Sequence, residues 1–296
     1  MGIAPAAALE KPLPRARMAD FLELTKPRIT FLVLVTAAVG YALGRDDVFE
    51  ASSFLLMLAG TGLLSGGAAA LNQYLERDAD GRMARTRNRP LPSARVTPPE
   101  ALALGLVLSA AGLALLAGTG WLAAALGLAS AASYVLVYTP LKRVTSLCTV
   151  VGAVPGALPP LIGWAAARGE LGAGAWALFA VLFLWQLPHF LALAWMYRED
   201  YALGGFPMLT VADETGSSTG RQAVLYTTAL LPVSLIAGAF ASAGTGYLWA
   251  ASVLGLAFIL FAARFAWRRT VAAARALFLV SIFYLPALFA VLVLDR

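Results

Sequence analysis

The sequence predicts an all-α integral membrane protein, nine transmembrane helices around a central intramembrane cavity with the N-terminus cytoplasmic. Three observations predict it. Of the 296 residues, 60% are hydrophobic and 13% charged, about half the charged share of a soluble domain, and mean hydropathy is +0.77. Uncharged runs recur that can cross about 30 Å of hydrocarbon, which takes about 20 apolar residues each. The basic residues fall almost entirely in alternate connections. This composition excludes a soluble enzyme, a disordered chain and a secreted scaffold. Cys148 is the only cysteine and His189 the only histidine, so an internal disulfide, a thiolate cluster and a histidine cage are excluded too.

Residues 1–27 are expected to form a cytoplasmic, partly interfacial segment, and residues 28–296 a single transmembrane domain. Glu10, Asp20 and Glu23 interrupt any apolar core of a cleavable signal, and Ala6 stands where myristoylation needs Ser or Thr. Lys26-Pro27-Arg28 marks the start of the first span. The uncharged runs are Ile29–Gly44, Ala51–Leu75, Ala101–Leu141, Val144–Ala167, Leu171–Tyr197, Gln222–Ala263 and Ala276–Leu294. Two of them, 101–141 and 222–263, would measure about 60 Å as one helix, twice the bilayer core. Each carries a breaker near its middle, Gly118-Thr119-Gly120 and Ala243-Gly244-Thr245-Gly246, and so reads as a helical hairpin. The total is nine. Because the runs are apolar on every face they are lipid-embedded helices, not barrel strands alternating polar and apolar residues.

The N-terminal segment carries Lys11, Arg15, Arg17, Lys26 and Arg28, and the loop after span 2 carries Arg77, Arg82, Arg85, Arg87, Arg89 and Arg95. Lys142 and Arg143 follow span 4, Arg198 and Arg221 span 6, and Arg264, Arg268, Arg269 and Arg275 span 8. That is 19 of the 22 basic residues, leaving Arg45, Arg168 and Arg296 for the other side. The positive-inside rule makes the crowded side cytoplasmic. The net charge of +6 is accounted for by loops facing anionic lipid, with no call for a nucleic acid. Trp121, Trp176, Trp249 and Trp267 sit at span ends, as interface belts do.

Two clusters stand out against this background. After span 2 the chain reads Asn72-Gln73-Tyr74-Leu75-Glu76-Arg77-Asp78-Ala79-Asp80, with Arg82, Arg85, Arg87 and Arg89 following before Pro90. On a helix, Asn72, Glu76 and Asp80 share one stripe, whereas Asp78 points to the opposite side unless the helix unwinds. Oxygen ligands on one face suit Mg²⁺, which takes hard donors and shares substrate phosphates; arginines clamp phosphate oxygens. The competing reading is a solvated loop that only fixes topology. The second cluster runs from Trp185-Gln186-Leu187-Pro188-His189-Phe190 through Tyr197-Arg198-Glu199-Asp200-Tyr201 to Asp213-Glu214. Spans 2 and 6 end on the same side, so the two acidic clusters can face one polyanion. His189, at membrane depth, is either a structural histidine bonded to a neighbouring helix or a ligand or proton donor to a buried substrate. Lys142-Arg143 are either topology anchors or a third phosphate contact. Gly152, Gly156 and Gly163 with Pro155, Pro159 and Pro160 make span 5 irregular, through close packing or a local break.

The run from Asn72 to Pro90 resembles the first acidic motif of the intramembrane UbiA-type prenyltransferase superfamily. Leu24-Thr25-Lys26-Pro27-Arg28, Tyr138-Thr139-Pro140-Leu141-Lys142-Arg143, Gly156-Ala157-Leu158-Pro159-Pro160, Trp185–Phe190 and Asp200-Tyr201 look like its haem-farnesylating branch. The resemblance covers roughly residues 20 to 293. The family's first motif reads Asn, then Asp at +4, +6 and +8; here Glu76 holds the +4 place, one methylene longer. Quinone-type relatives carry a richer second aspartate motif, where this chain has Asp200 flanked by Tyr197 and Tyr201.

The resemblance implies transfer of farnesyl from farnesyl diphosphate to a vinyl group of haem B, with water addition, giving haem O. It implies Mg²⁺ held by Asn72, Glu76, Asp78, Asp80 and Asp200, with Asn72, Glu76, Asp80 and Asp200 catalytic. Diphosphate would lie against Arg85, Arg89, Lys142, Arg143 and Tyr197, and haem, as substrate, against His189. It also implies residence in the bacterial plasma membrane with cytoplasmic active-site loops, and handover of product to a haem A synthase or a terminal oxidase assembly; oligomeric state stays open. The nearest rival is an aromatic, quinone-precursor prenyltransferase of the same fold. A transporter or channel is disfavoured because the acids cluster at one face rather than at the midplane.

Overall fold

The computed structural model describes residues 14–45 and 49–295. Lys11 and Arg296, used in the charge partition, lie outside the described residues. Among those described, nine helices are long and apolar enough to span a bilayer and no strand occurs. A short helix α1 (Pro14–Leu24) precedes them. The spans are α2 (Pro27–Gly44), α3 (Ala51–Asp80), α4 (Pro98–Ala117), α5 (Trp121–Leu141), α6 (Cys148–Arg168) and α7 (Ala173–Met196). After a short helix α8 (Arg198–Gly204) come α9 (Ser217–Phe240), α10 (Thr245–Arg268) and α11 (Val271–Leu294). Both double-length runs are hairpins, turning at Gly118–Gly120 and at Ala241–Gly244. The four span-end tryptophans are all exposed, Trp267 by 84%.

Three helices carry the irregularities that shape the site. α3 runs past the end of its apolar run, so Glu76 and Asp80 remain helical. α5 widens into a π-turn over Ser133–Tyr138, just before Pro140, and π-turns commonly mark functional positions. α6 is broken at Leu158 into Cys148–Ala157 and Pro159–Arg168. Pro159 has no N–H for the Pro155 carbonyl, which instead accepts from Ser130 Oγ at 3.0 Å; Gln186 Nε2 donates to the nearby Ala153 carbonyl at 2.9 Å. Prolines are tolerated at membrane depth when side chains resatisfy the backbone in this way.

Both readings of the α6 glycines therefore hold, a break and close packing. A Cβ at Gly163 would lie 1.9 Å from the Ala37 carbonyl oxygen of α2, and one at Gly156 2.1 Å from Gln186 Oε1. α3 and α4 also cross closely, with Gly67 against Gly105 and Gly60 against Gly112. Small residues allow this backbone approach, and dispersion between close surfaces is what holds helices together in lipid.

Contacts between connections divide the molecule into two ends. At one end, Arg95 pairs with Asp20 and Glu23, tying the segment after α3 to α1. Lys142 after α5 pairs with Glu76, and the segment after α3 bonds Asp200 of α8. At the other end, Ser53 Oγ reaches the Ala166 carbonyl, and Asp295 bonds the amides of Gly244 and Tyr247. The N-terminal helix and the connections after spans 2, 4 and 6 thus share one end, the parity that the charge count requires.

Candidate active site

The site forms where the C-terminal turns of α3 meet the N-terminus of α2 and the π-turn of α5. Asn72, Glu76 and Asp80 line one stripe and are buried, at 1%, 3% and 1% exposure. Each is engaged by a cation or a polar partner. Asn72 Oδ1 accepts from Lys26 Nζ at 2.8 Å, and Asn72 Nδ2 donates to Thr139 Oγ1 at 3.0 Å. Glu76 takes Lys142 Nζ at 2.6 Å, and Asp80 Oδ2 takes Arg89 at 2.7 Å. Two buried carboxylates thus face three cations, an excess of positive charge that suits a polyanion.

Local sequence explains the placement. Lys26 adopts a left-handed conformation (φ 49°) as the N-cap of α2, which turns its side chain back towards α3. The π-turn stacks Tyr134 on Tyr138, centroids 5.6 Å apart, and Thr139 Oγ1 donates to the Tyr134 carbonyl at 2.8 Å. Lys26 Nζ lies 3.5 Å from the Tyr134 hydroxyl, and Lys142 Nζ sits over the rings of Tyr138 and Phe206. Burial, together with the charges of Arg89 and Lys142, pushes the Lys26 ammonium down to about 7 against the pull of Glu76 and Asp80. Burial is the largest influence on Lys142 and opposes its charge, but the Glu76 carboxylate together with Tyr201 and Tyr134 outweighs it and the pKa rises.

Asp78 departs from the expected ligand group. The helix does not unwind there, so its carboxylate faces outward, 77% exposed, beside Arg77. Asp200 also differs from expectation in what it contacts. Its oxygens accept the backbone N–H groups of Ala84 (3.1 Å) and Arg85 (3.2 Å), so it meets the first cluster through loop backbone. Arg82 donates to the Gly204 carbonyl at 3.1 Å, while Met83 is buried with Tyr201 and Phe206. Arg85 lies over the rings of Tyr197 and Tyr201, 5.1 and 5.6 Å from their centroids. Arg143 is exposed and donates to the Leu75 carbonyl at 3.0 Å, the arrangement of an anchor.

His189 lies in α7, away from this cluster. Its ring stacks between Trp185 (5.1 Å) and Phe278 (4.7 Å), and its Nδ1 is 2.7 Å from Ser281 Oγ of α11. Sequence reasoning missed Tyr134 and gave Lys26 and Thr139 no place in the site. The Lys26-Pro27 step and the Thr139-Pro140 step were the available signals, because a proline lacks the helical N–H and its ring crowds the preceding turn.

The acidic stripe is chemically suited to a divalent cation. Its donors are all oxygens, and Asp80 Oδ1 is a buried carboxylate oxygen with no hydrogen-bond partner. Among the described residues no three acidic, histidine or cysteine side chains converge as a ready-made cage. The all-oxygen donor set is of the kind that suits Mg²⁺.

Nine spanning helices among the described residues, with a basic-lined acidic stripe at one mouth, suit a membrane enzyme that handles a polyanion. Residues 33–287 match the UbiA prenyltransferase family, and the chain belongs to it. Among its relatives is the protoheme IX farnesyltransferase of Solibacter usitatus, 47% identical over 289 residues, 94% of this chain and 99% of that one. The fold is shared with the solved digeranylgeranylglyceryl phosphate synthase, at a TM-score of 0.80 and 15% identity over 95% of this chain and 98% of that one. It is shared too with a UbiA homolog from Archaeoglobus fulgidus bound to GPP and Mg²⁺, at a TM-score of 0.60 and 16% identity over 92% and 99%.

Proposed function

We infer that the chain transfers the farnesyl group of farnesyl diphosphate to a vinyl group of protohaem IX, with addition of water, giving haem O and diphosphate. The observation that carries the reading at this site is the exchangeable charge cluster. Lys26, Arg89 and Lys142 are held by the oxygens of Asn72, Asp80 and Glu76. A diphosphate would take over the cations and a metal the oxygens, each former pair being replaced by a more highly charged partner. Asn72, Glu76 and Asp80 would hold the Mg²⁺, which when bound neutralises charge on the departing diphosphate.

Lys26, Arg89 and Lys142 contact the diphosphate, and Arg85, steadied by Tyr197 and Tyr201, closes over it. Preorganised positive charge at the leaving group is the main catalytic lever of such a site. As the C1–O bond breaks, the stacked faces of Tyr134 and Tyr138 lie beside the allylic cation and favour positive charge over their rings. The haem vinyl group captures that cation, and water adds to the porphyrin-stabilised cation with loss of a proton. Asp200 holds the 81–97 loop over the site. His189 orients the haem through its iron.

This reading sets the protein in the bacterial plasma membrane with this mouth cytoplasmic, an orientation supported by the concentration of basic residues there. Mass spectrometry of haem from cells with and without the protein tests the reaction. The expected result is a gain of farnesyl plus water on protohaem. A prenylated phenolic product with unaltered haem would replace this reading by the quinone-precursor one.

A further inference from the structure

Ser281 sits on α11 with no exposed surface, and nothing in the transfer chemistry above uses it. Its hydroxyl has two neighbours. One is the Phe278 carbonyl, to which Oγ donates at 2.6 Å. The other is His189 Nδ1, at 2.7 Å. A hydroxyl carries a single hydrogen. A carbonyl can only accept, so the 2.6 Å bond to Phe278 uses that hydrogen and leaves Ser281 Oγ as acceptor towards the imidazole. This arrangement requires the proton of His189 on Nδ1 and leaves the lone pair on Nε2. The surroundings hold this arrangement still: Trp185 Nε1 donates to the Ser281 carbonyl at 2.8 Å, and Trp185 and Phe278 cover the two faces of the imidazole.

We propose that Ser281 is a positioning residue that fixes His189 in the Nδ1–H tautomer and so presents Nε2 to the iron of the haem substrate. The proposal rests on the reading of His189 as the iron contact. A hydrogen bond to the distal nitrogen of a metal-bound histidine sets its tautomer and ring angle and raises its basicity.

Because His189 is the only histidine, ¹⁵N-histidine labelling of the tag-free full chain in lipid nanodiscs gives one imidazole to observe. The parent protein, without added haem, is expected to show a protonated Nδ1 and an unprotonated Nε2; the reverse pattern overturns the proposal with no substitution needed. Ser281→Ala is expected to mix the tautomers, shift the iron–nitrogen stretch of bound ferrous protohaem and weaken haem binding about tenfold. Ser281→Thr, which keeps the hydroxyl, should restore all three. If His189→Ala binds protohaem as tightly as the parent, the reading of His189 fails and the proposal falls with it. If His189→Ala loses the haem while Ser281→Ala keeps the parent's tautomer, stretch and affinity, that reading stands and the role of Ser281 alone is refuted.

Discussion

The difference between Glu76 and Asp78 shows what a helix does to two neighbouring acids. Two residues apart, they differ by about 200° in direction. One is buried against Lys142 and the other is exposed. Glu76→Gln is therefore expected to lower diphosphate release from farnesyl diphosphate by at least about 100-fold, whereas Asp78→Asn changes it less than about threefold. Purified variants in nanodiscs, assayed at matched protein levels, check both. Lys142 and Arg143 divide the same way: Lys142→Ala removes a contact of the stripe, and Arg143→Ala only an exposed bond to a carbonyl. The stripe itself was legible from 3.6-residue periodicity. The part played by Lys26 was not, because it depends on a left-handed turn that places residue 26 beside residue 72. Tyr134 was hidden for a similar reason, since a π-turn shifts side-chain directions off the regular helical count.

At the scale of the element, spans are easy to read and their irregularities are not. Uncharged length gave every helix in α2–α11 that crosses the bilayer, and paired breakers gave both hairpins. The break at Leu158 depends on Ser130 and Gln186, residues of other helices, and no local pattern announces such partners. The α2–α6 crossing depends on Gly163. Gly163→Leu is expected to force these backbones apart and lower the melting temperature in detergent, by a destabilisation of about 1–3 kcal/mol typical of overpacking. The entry to α9 offers a pH test. Asp213 accepts from the backbone N–H of Thr219 at 2.7 Å and from its hydroxyl at 2.9 Å. Burial alone would raise the carboxyl, but these bonds hold it below the usual carboxylate value. Its stabilising contribution is complete above the unfolded pKa of about 3.9 and is lost as pH falls through the lower folded value. Protection of the Thr215–Thr219 amides, relative to their intrinsic exchange, should fall as pH drops below the unfolded value, and Asp213→Asn should lack that protection already at neutral pH.

At the scale of the whole molecule, the charge partition makes a claim about direction across the membrane. Cys148 is buried and is the only thiol, so Cys148→Ser provides a clean background for single reporter cysteines. Arg87→Cys should react with a membrane-impermeant maleimide only in inverted vesicles, and Gly169→Cys only in right-side-out ones. The opposite pattern would reverse the assigned orientation. The connection from the far half of the chain is fastened to this mouth by Asp200. Asp200→Asn is expected to loosen the 81–97 loop, raising proteolysis there and weakening substrate affinity more than it changes the Mg²⁺ concentration needed for half-maximal rate.

The counterions of the acidic stripe all come early in the chain. Lys26, Arg89 and Lys142 precede residue 148, so every cation that engages the stripe lies ahead of the C-terminal half. Two carboxylates at the edge of a bilayer are costly to leave alone. In the order of translation their counterions are all made before the helices bearing His189 and Ser281. Only the cover of the stripe, supplied through Asp200, Tyr197 and Tyr201, waits for the later helices.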